Sequence, residues 1–251
     1  MAAGPLLTTS EAVTPSYQTI DMLALGKGNA SIANTGISTA SFPFGSPSVL
    51  GGVPFVLTNL PNQVWAAYNA PGGTGQGLVS ETFPMVVNDI YGFYTLANTY
   101  WGYANETHVT YRFNFSDNTS YEKTLTNGID LRDFNGSTTT FATTINNTTA
   151  QNVYSATDPA NLPLGLTYLD RQWIDLAAAG HGGKNLVSFT VLDDGGAGIN
   201  RVFLSGATAQ IGIGGQQIPE PGVSTLLLLT GLGACLYRRD RTKKSASATI
   251  A

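Results

Sequence analysis

Residues 108–115 read HVTYRFNF, and the pattern alternates: Val109, Tyr111, Phe113 and Phe115 against His108, Thr110, Arg112 and Asn114. A period of two predicts a half-buried antiparallel strand with one wet face. Asp117-Asn118 supplies a turn, and residues 120–125 read as the returning strand of a hairpin. The same reading predicts strands at 53–57, 64–68, 83–87, 90–96, 173–176, 186–192 and 201–204, separated by Gly, Asn, Asp and Pro clusters. No stretch before residue 219 sustains a 3.6-residue apolar period beyond a turn or two. Short strands at this spacing predict an all-β fold, a β-sandwich. The Thr/Asn-rich stretch 136–149 (GSTTTFATTINNTT) reads as a long exposed loop or an irregular strand pair.

The pattern changes at the C-terminus. Residues 223–237 read VSTLLLLTGLGACLY, an uncharged run bounded by Pro219 and Pro221 before it and by Arg238 and Arg239 after it. A spanning helix wants roughly 17 to 25 residues, so this run predicts a marginal, short transmembrane-like helix. The prolines stop the helix on one side. The basic cluster Arg238, Arg239, Arg241, Lys243 and Lys244 stays cytoplasmic by the positive-inside rule, leaving the body outside. A buried helix of the main domain is the alternative, disfavoured because the run has no polar face.

Composition narrows the classes. Of 251 residues only 11% are charged, against about 25% in an average soluble chain, and hydrophobic residues make up 42%, enough for a sizeable core. The net charge of -4 argues against nucleic acid as a partner, since binding it needs a basic patch to displace counterions. The single cysteine, Cys235, sits inside the apolar run, so neither an intrachain disulfide nor a cysteine-based zinc site is expected.

Pro219-Glu220-Pro221, the short apolar run and the Arg-rich end, in that order, resemble the PEP-CTERM sorting signal of Gram-negative bacteria. The resemblance covers about residues 217–244. It implies an exosortase, a transpeptidase-like integral-membrane enzyme, as partner, with processing near the triplet after transient residence in the inner membrane. It also implies an N-terminal secretory signal. The sequence begins MAAGPLLTTSEAVTPS, without an early Lys or Arg, and the expectation is a start assigned too far downstream.

A second resemblance covers the body. GGVPFVL (51–57), YTLANTYWG (94–102), VTYRFNFSDNTSY (109–121), NGIDLRDF (127–134), LDRQWIDL (169–176) and VSFTVLDDGGAGINRVFLSGAT (187–208) are similar to a galactose-binding-like jelly roll, most of all its sugar-associated, NPCBM-like branch. That resemblance implies a non-catalytic recognition domain, with a structural calcium ion as a candidate ligand.

Candidate chemistry is sparse. The two histidines, His108 and His181, stand apart, and no HExxH, GxSxG or P-loop motif is present. The paired carboxylates available to a hydrolase are Asp130 with Asp133, Asp170 with Asp175, and Asp193 with Asp194, each equally explained by turns, caps or ion pairs. NGIDLRDF and LDRQWIDL each place an Arg beside an Asp among large apolar residues. In one reading Arg132, Asp133, Asp170 and Arg171 hydrogen-bond sugar hydroxyls while Trp101 or Trp173 stacks on a ring. In the other, favoured reading they form a buried Arg–carboxylate network pinning two loops. Asp193 and Asp194, followed by two glycines, offer oxygen ligands to calcium, and an ordinary turn explains them as well.

The expected organisation is an N-terminal segment 1–49 able to add an edge strand, a jelly-roll type β-sandwich at 50–212, a linker at 213–218 and the sorting signal at 219–251. The expected function is non-catalytic, either structural or carbohydrate-recognising, at the cell surface or in an extracellular polysaccharide matrix. The alternatives are a secreted carbohydrate-active enzyme using paired carboxylates and an adhesive scaffold with no small ligand.

Overall fold

The computed structural model describes residues 15–39, 41–67, 77–157, 165–195 and 200–212. The chain divides into two units, Met1–Ile213 and Gly214–Ala251. Pro219, Glu220, Pro221, Arg238, Arg239 and the expected short helix lie outside the described residues.

The described body is all-β. Its strands are β1 (Ser16–Ile20), β2 (Gly45–Leu50), β3 (Val53–Leu57), β4 (Trp65–Ala66), β5 (Val79–Tyr100), β6 (Val109–Phe115), β7 (Ser120–Leu125), β8 (Ala150–Thr157), β9 (Leu166–Asp175), β10 (Lys184–Asp193) and β11 (Arg201–Ile211). A short 3-10 turn, Ala33–Thr35, precedes β2. The β6–β7 hairpin follows the alternation directly: inward Val109, Tyr111, Phe113 and Phe115 are buried, and Asn118 takes the positive φ of the turn.

The spine is β5. The sequence predicts two strands, 83–87 and 90–96, where the structure has one of 22 residues. The polar Asn88-Asp89 pair reads as a break. Instead Asp89 adopts φ 54, the pairing with β10 slips a register beside it, and the strand continues past the irregularity. The N-terminal half of β5 pairs with β10, and the C-terminal half pairs with β11 on one edge and β9 on the other. β9 and β10 run along the same edge of β5 in the same direction, separated by an excursion over 176–183. That excursion is clipped back by the Ala177 N–H to the Tyr91 carbonyl and the Gly183 N–H to the Ile90 carbonyl, 2.9 and 2.8 Å. Outside them, β6 and then β7 extend from β10, β8 from β9, and β1 and β4 from β11, all antiparallel.

The sheet turns back over itself. Phe93, on one half of β5, meets Phe113 and Phe189 at 5.3 and 4.9 Å between ring centres, and Phe189 is the strand partner of Phe83 on the other half. A sandwich-like core fills the fold, with Tyr111, Phe113, Phe189, Val202 and Leu204 fully buried. Each large side chain so buried contributes about 1.5–3 kcal/mol. A second core lies on the other face of β5 and β11, where the β2–β3 hairpin packs Phe55 and Leu57 against Leu96, Tyr100 and Phe203. β11 is therefore covered on both faces, and its small residues make that possible: a Cβ on Gly206 would stand 3.3 Å from both Phe55 and Leu57.

Candidate functional site

At the C-terminal end of β5 the chain enters a groove of about 300 Å³. Tyr100, Trp101, Phe134 and Phe141 give it aromatic walls, and Asn34, Thr35, Asn135 and Thr138 give it amide and hydroxyl groups. Four segments meet here: the end of β5, the loop after β7, the Thr/Asn-rich stretch and the 3-10 turn near Asn34. A backbone clip joins the first two, the Thr99 N–H donating to the Arg132 carbonyl at 3.0 Å and the Phe134 N–H to the Thr99 carbonyl at 3.1 Å. The Thr/Asn-rich stretch is threaded onto them by the Ala142 N–H to the Gly102 carbonyl and the Asp133 N–H to the Ala142 carbonyl, 2.7 and 2.8 Å. It is a loop, as expected, yet Ala142 and Ile145 are buried.

Asp133 stands at the base of the groove. One carboxylate oxygen accepts the Trp101 N–H at 2.6 Å and the other the Asn135 N–H at 2.8 Å. Burial pushes its pKa up to about 6, against the lowering effect of the two N–H donors. Trp101 has φ 58, a left-handed backbone that a bulky side chain rarely adopts. Its N–H bond to Asp133 holds that conformation and sets the indole along the groove wall.

The structure distributes the six predicted ligand residues among three places. Trp101 and Asp133 line the groove. Arg132 and Asp170 face each other beneath it, Nε to Oδ2 at 2.7 Å and Nη2 to Oδ1 at 2.6 Å. Asp170 also accepts from Asn98 at 2.8 Å and from Asn152 at 3.1 Å, and the guanidinium lies 3.6 Å from the centre of the Tyr168 ring. This network ties the loop after β7 to β5, β8 and β9. Arg171 and Trp173 lie farther along β9 and both reach Tyr94, at 5.1 and 4.4 Å from its ring centre. Arg171 also donates to the Gly51 carbonyl and to Gln151. Burial first, then the neighbouring Tyr17, pushes the Tyr94 hydroxyl up to about 12.

The remaining carboxylates serve separate local roles. Asp193 is fully buried, accepting from the Val202 and Gly195 N–H groups at 2.6 and 2.8 Å and from Arg201 at 3.3 Å. Burial raises its pKa despite those donors. Asp194 is exposed and sits 2.7 Å from Nδ1 of His108, whose other nitrogen is 3.3 Å from Glu106. Asp193 and Asp194 thus engage different partners on different sides of the chain. Asp130 accepts the Thr126 N–H at 3.0 Å, and Asp175 accepts the Ala178 N–H at 2.8 Å. Among the described residues no group of three or more His, Cys, Asp or Glu side chains is arranged to hold a metal ion. Nor is any described helix long and apolar enough to cross a membrane.

Tyr100, Phe134, Phe141, Asn34, Thr35, Asn135 and Thr138 are groove residues that sequence reasoning missed. The only local signal is the aromatic pair Tyr100-Trp101 followed by Gly102 at a strand end. Comparison of the chain with models of protein families, with curated proteins and with solved structures finds no match.

Proposed function

We propose that this is an exported, surface-sorted, non-catalytic protein whose body recognises carbohydrate in the bacterial envelope or exopolysaccharide matrix. One observation carries the reading: the groove sets four aromatic residues beside Asn, Thr and Asp groups. A sugar offers the complementary surfaces, an apolar C–H face for the rings and a rim of hydroxyls for the polar groups. The left-handed backbone of Trp101 supports it, since strain of this kind clusters at ligand clamps. Among the described residues the lining contains one acidic side chain, Asp133, whereas glycoside hydrolysis commonly uses two. That favours binding over turnover.

The antiparallel, sandwich-like sheet, with β1 paired to β11, supports the jelly-roll, galactose-binding-like assignment of the body. The Pro-Glu-Pro triplet, apolar run and basic cluster support a temporary inner-membrane anchor, processed near Pro219 by an exosortase-type enzyme.

A glycan array probed with the full chain in mild detergent tests the binding. Glycans are expected to be retained by the unaltered chain and lost by Trp101→Ala. Retention that survives the substitution removes the groove from the reading, and a chain that retains no glycan leaves an adhesive scaffold. Mass spectrometry of protein from the native host tests the sorting. A C-terminus near Pro219 supports it, and a chain still ending at Ala251 in cells that possess the enzyme refutes it.

A further inference from the structure

The groove has a sign. Asp133 is 2% exposed, yet it contributes to the lining. Its described partners are the two backbone N–H groups of Trp101 and Asn135. An ionised carboxylate offers about four lone-pair sites, so about half remain for a ligand. The adjacent Arg132 is committed to Asp170, and among the described residues no Lys or Arg lines the groove. The negative charge is therefore not balanced by a cation there. The aromatic walls act in the same direction, because ring faces attract cations.

Resting on the carbohydrate reading above, we propose that the groove selects sugars bearing a free, protonated amine, with Asp133 accepting the ammonium group and Trp101 covering the sugar's apolar face. An N-acetylated sugar brings no cation and leaves the buried charge unbalanced. A uronic acid brings a second carboxylate next to Asp133, and like charges disfavour each other strongly where water is excluded. The raised pKa of Asp133 fits this picture, because it reflects a buried charge that the protein itself leaves unneutralised. An incoming ammonium ion lowers that pKa, so at about pH 6 binding releases a proton.

Isothermal titration of the full chain in mild detergent tests the proposal with three probes: a glucosamine tetramer with free amines, the same tetramer N-acetylated, and a galacturonate tetramer. The free-amine tetramer is expected to bind about tenfold or more tightly than its acetylated form, the scale of one charge-assisted hydrogen bond. Galacturonate is expected to be weakest. The preference should shrink between about pH 6 and about pH 4, where the sugar amines stay protonated and Asp133 takes up a proton, and it should disappear in Asp133→Asn. The pH series uses the unaltered protein, so the test stands even if that variant folds poorly. Equal affinity for the amine and acetyl forms, or a preference that ignores pH, overturns the charge selectivity and leaves carbohydrate binding intact. Silence from all three probes together with the whole glycan array overturns both.

Discussion

Arg132 and Asp170 form a two-pronged ion pair below the surface, their side chains 9% and 0% exposed. Both are needed as a unit. Removing one partner leaves the other charge buried and uncompensated, which costs about 3–5 kcal/mol. Arg132→Met and Asp170→Leu are each expected to lower stability by that order in a denaturant titration. The double substitution should cost clearly less than the two combined, because no lone charge remains. Additive losses would show that the two residues act independently.

Asp133 predicts a pH dependence of opposite sign to that of an ordinary salt-bridged carboxylate. Its pKa in the folded protein, about 6, lies above the unfolded value of 3.8. Its contribution to stability is therefore fully present below about pH 4 and is lost as pH rises through about 6. The loss by pH 7 is about 2–3 kcal/mol. Asp193 is raised in the same direction and Asp117 lowered, so the measurement must be a difference. Unfolding free energies of the unaltered chain and of Asp133→Asn, compared between about pH 4 and 7, should differ by a slope confined to that window. Parallel curves would show that Asp133 does not titrate there.

Trp101 predicts an inverted order of small substitutions. Glycine enters the left-handed region freely, whereas L-residues pay about 1–2 kcal/mol there. Trp101→Gly is expected to be more stable than Trp101→Ala, by about 1 kcal/mol or less after the greater chain entropy of glycine is counted. Both should lose glycan retention. A more stable alanine variant would place Trp101 in an ordinary backbone conformation.

Gly92 lies under the ring of Trp173, where a Cβ would stand 1.6 Å from Cη2. Gly92→Ala must displace the indole and is expected to cost about 1–3 kcal/mol. Truncating the ring by Trp173→Ala should make the added methyl nearly harmless, and a thermal melt of the pair checks this. An unchanged cost in the truncated background would mean that the ring is not what occupies the space.

The β6–β7 hairpin was legible in the sequence because one wet face and one dry face leave a period of two, ending at Asp117-Asn118. β3 was legible as a compact apolar run. β11 was recognised only over 201–204, because Ser205, Gly206, Ala207, Thr208 and Ala209 carry no alternation. Both faces of that segment are covered, and small residues are what the close packing demands. β2 and β8 pass unnoticed, and β1 is anticipated only as an edge strand somewhere within 1–49, since all three are polar strands on the margins of sheets, held mainly by their backbones. The Arg132–Asp170 network was foreseen as the favoured reading over a sugar site, but the division of labour between Arg132 and its neighbour Asp133 was not. Adjacent residues in an extended chain face opposite ways, and only the assembled partners say which way is inward. The groove itself is built from three stretches far apart in sequence, 34–36, 100–101 and 133–141, and no local pattern encodes their meeting.

The pairing of β1 with β11 sets Ser16 opposite Ile211, so the described body begins and ends at one corner. The hydrogen bonds between these strands run perpendicular to them. Traction applied outward at that corner, with one end of the domain held and the other pulled, meets those bonds one rung at a time instead of all together. The domain is thus built to peel at a low force, shedding β1 first while the long spine of β5 stays under little load. Held at one terminus and drawn from the other, the body gives way at that corner before its core is loaded.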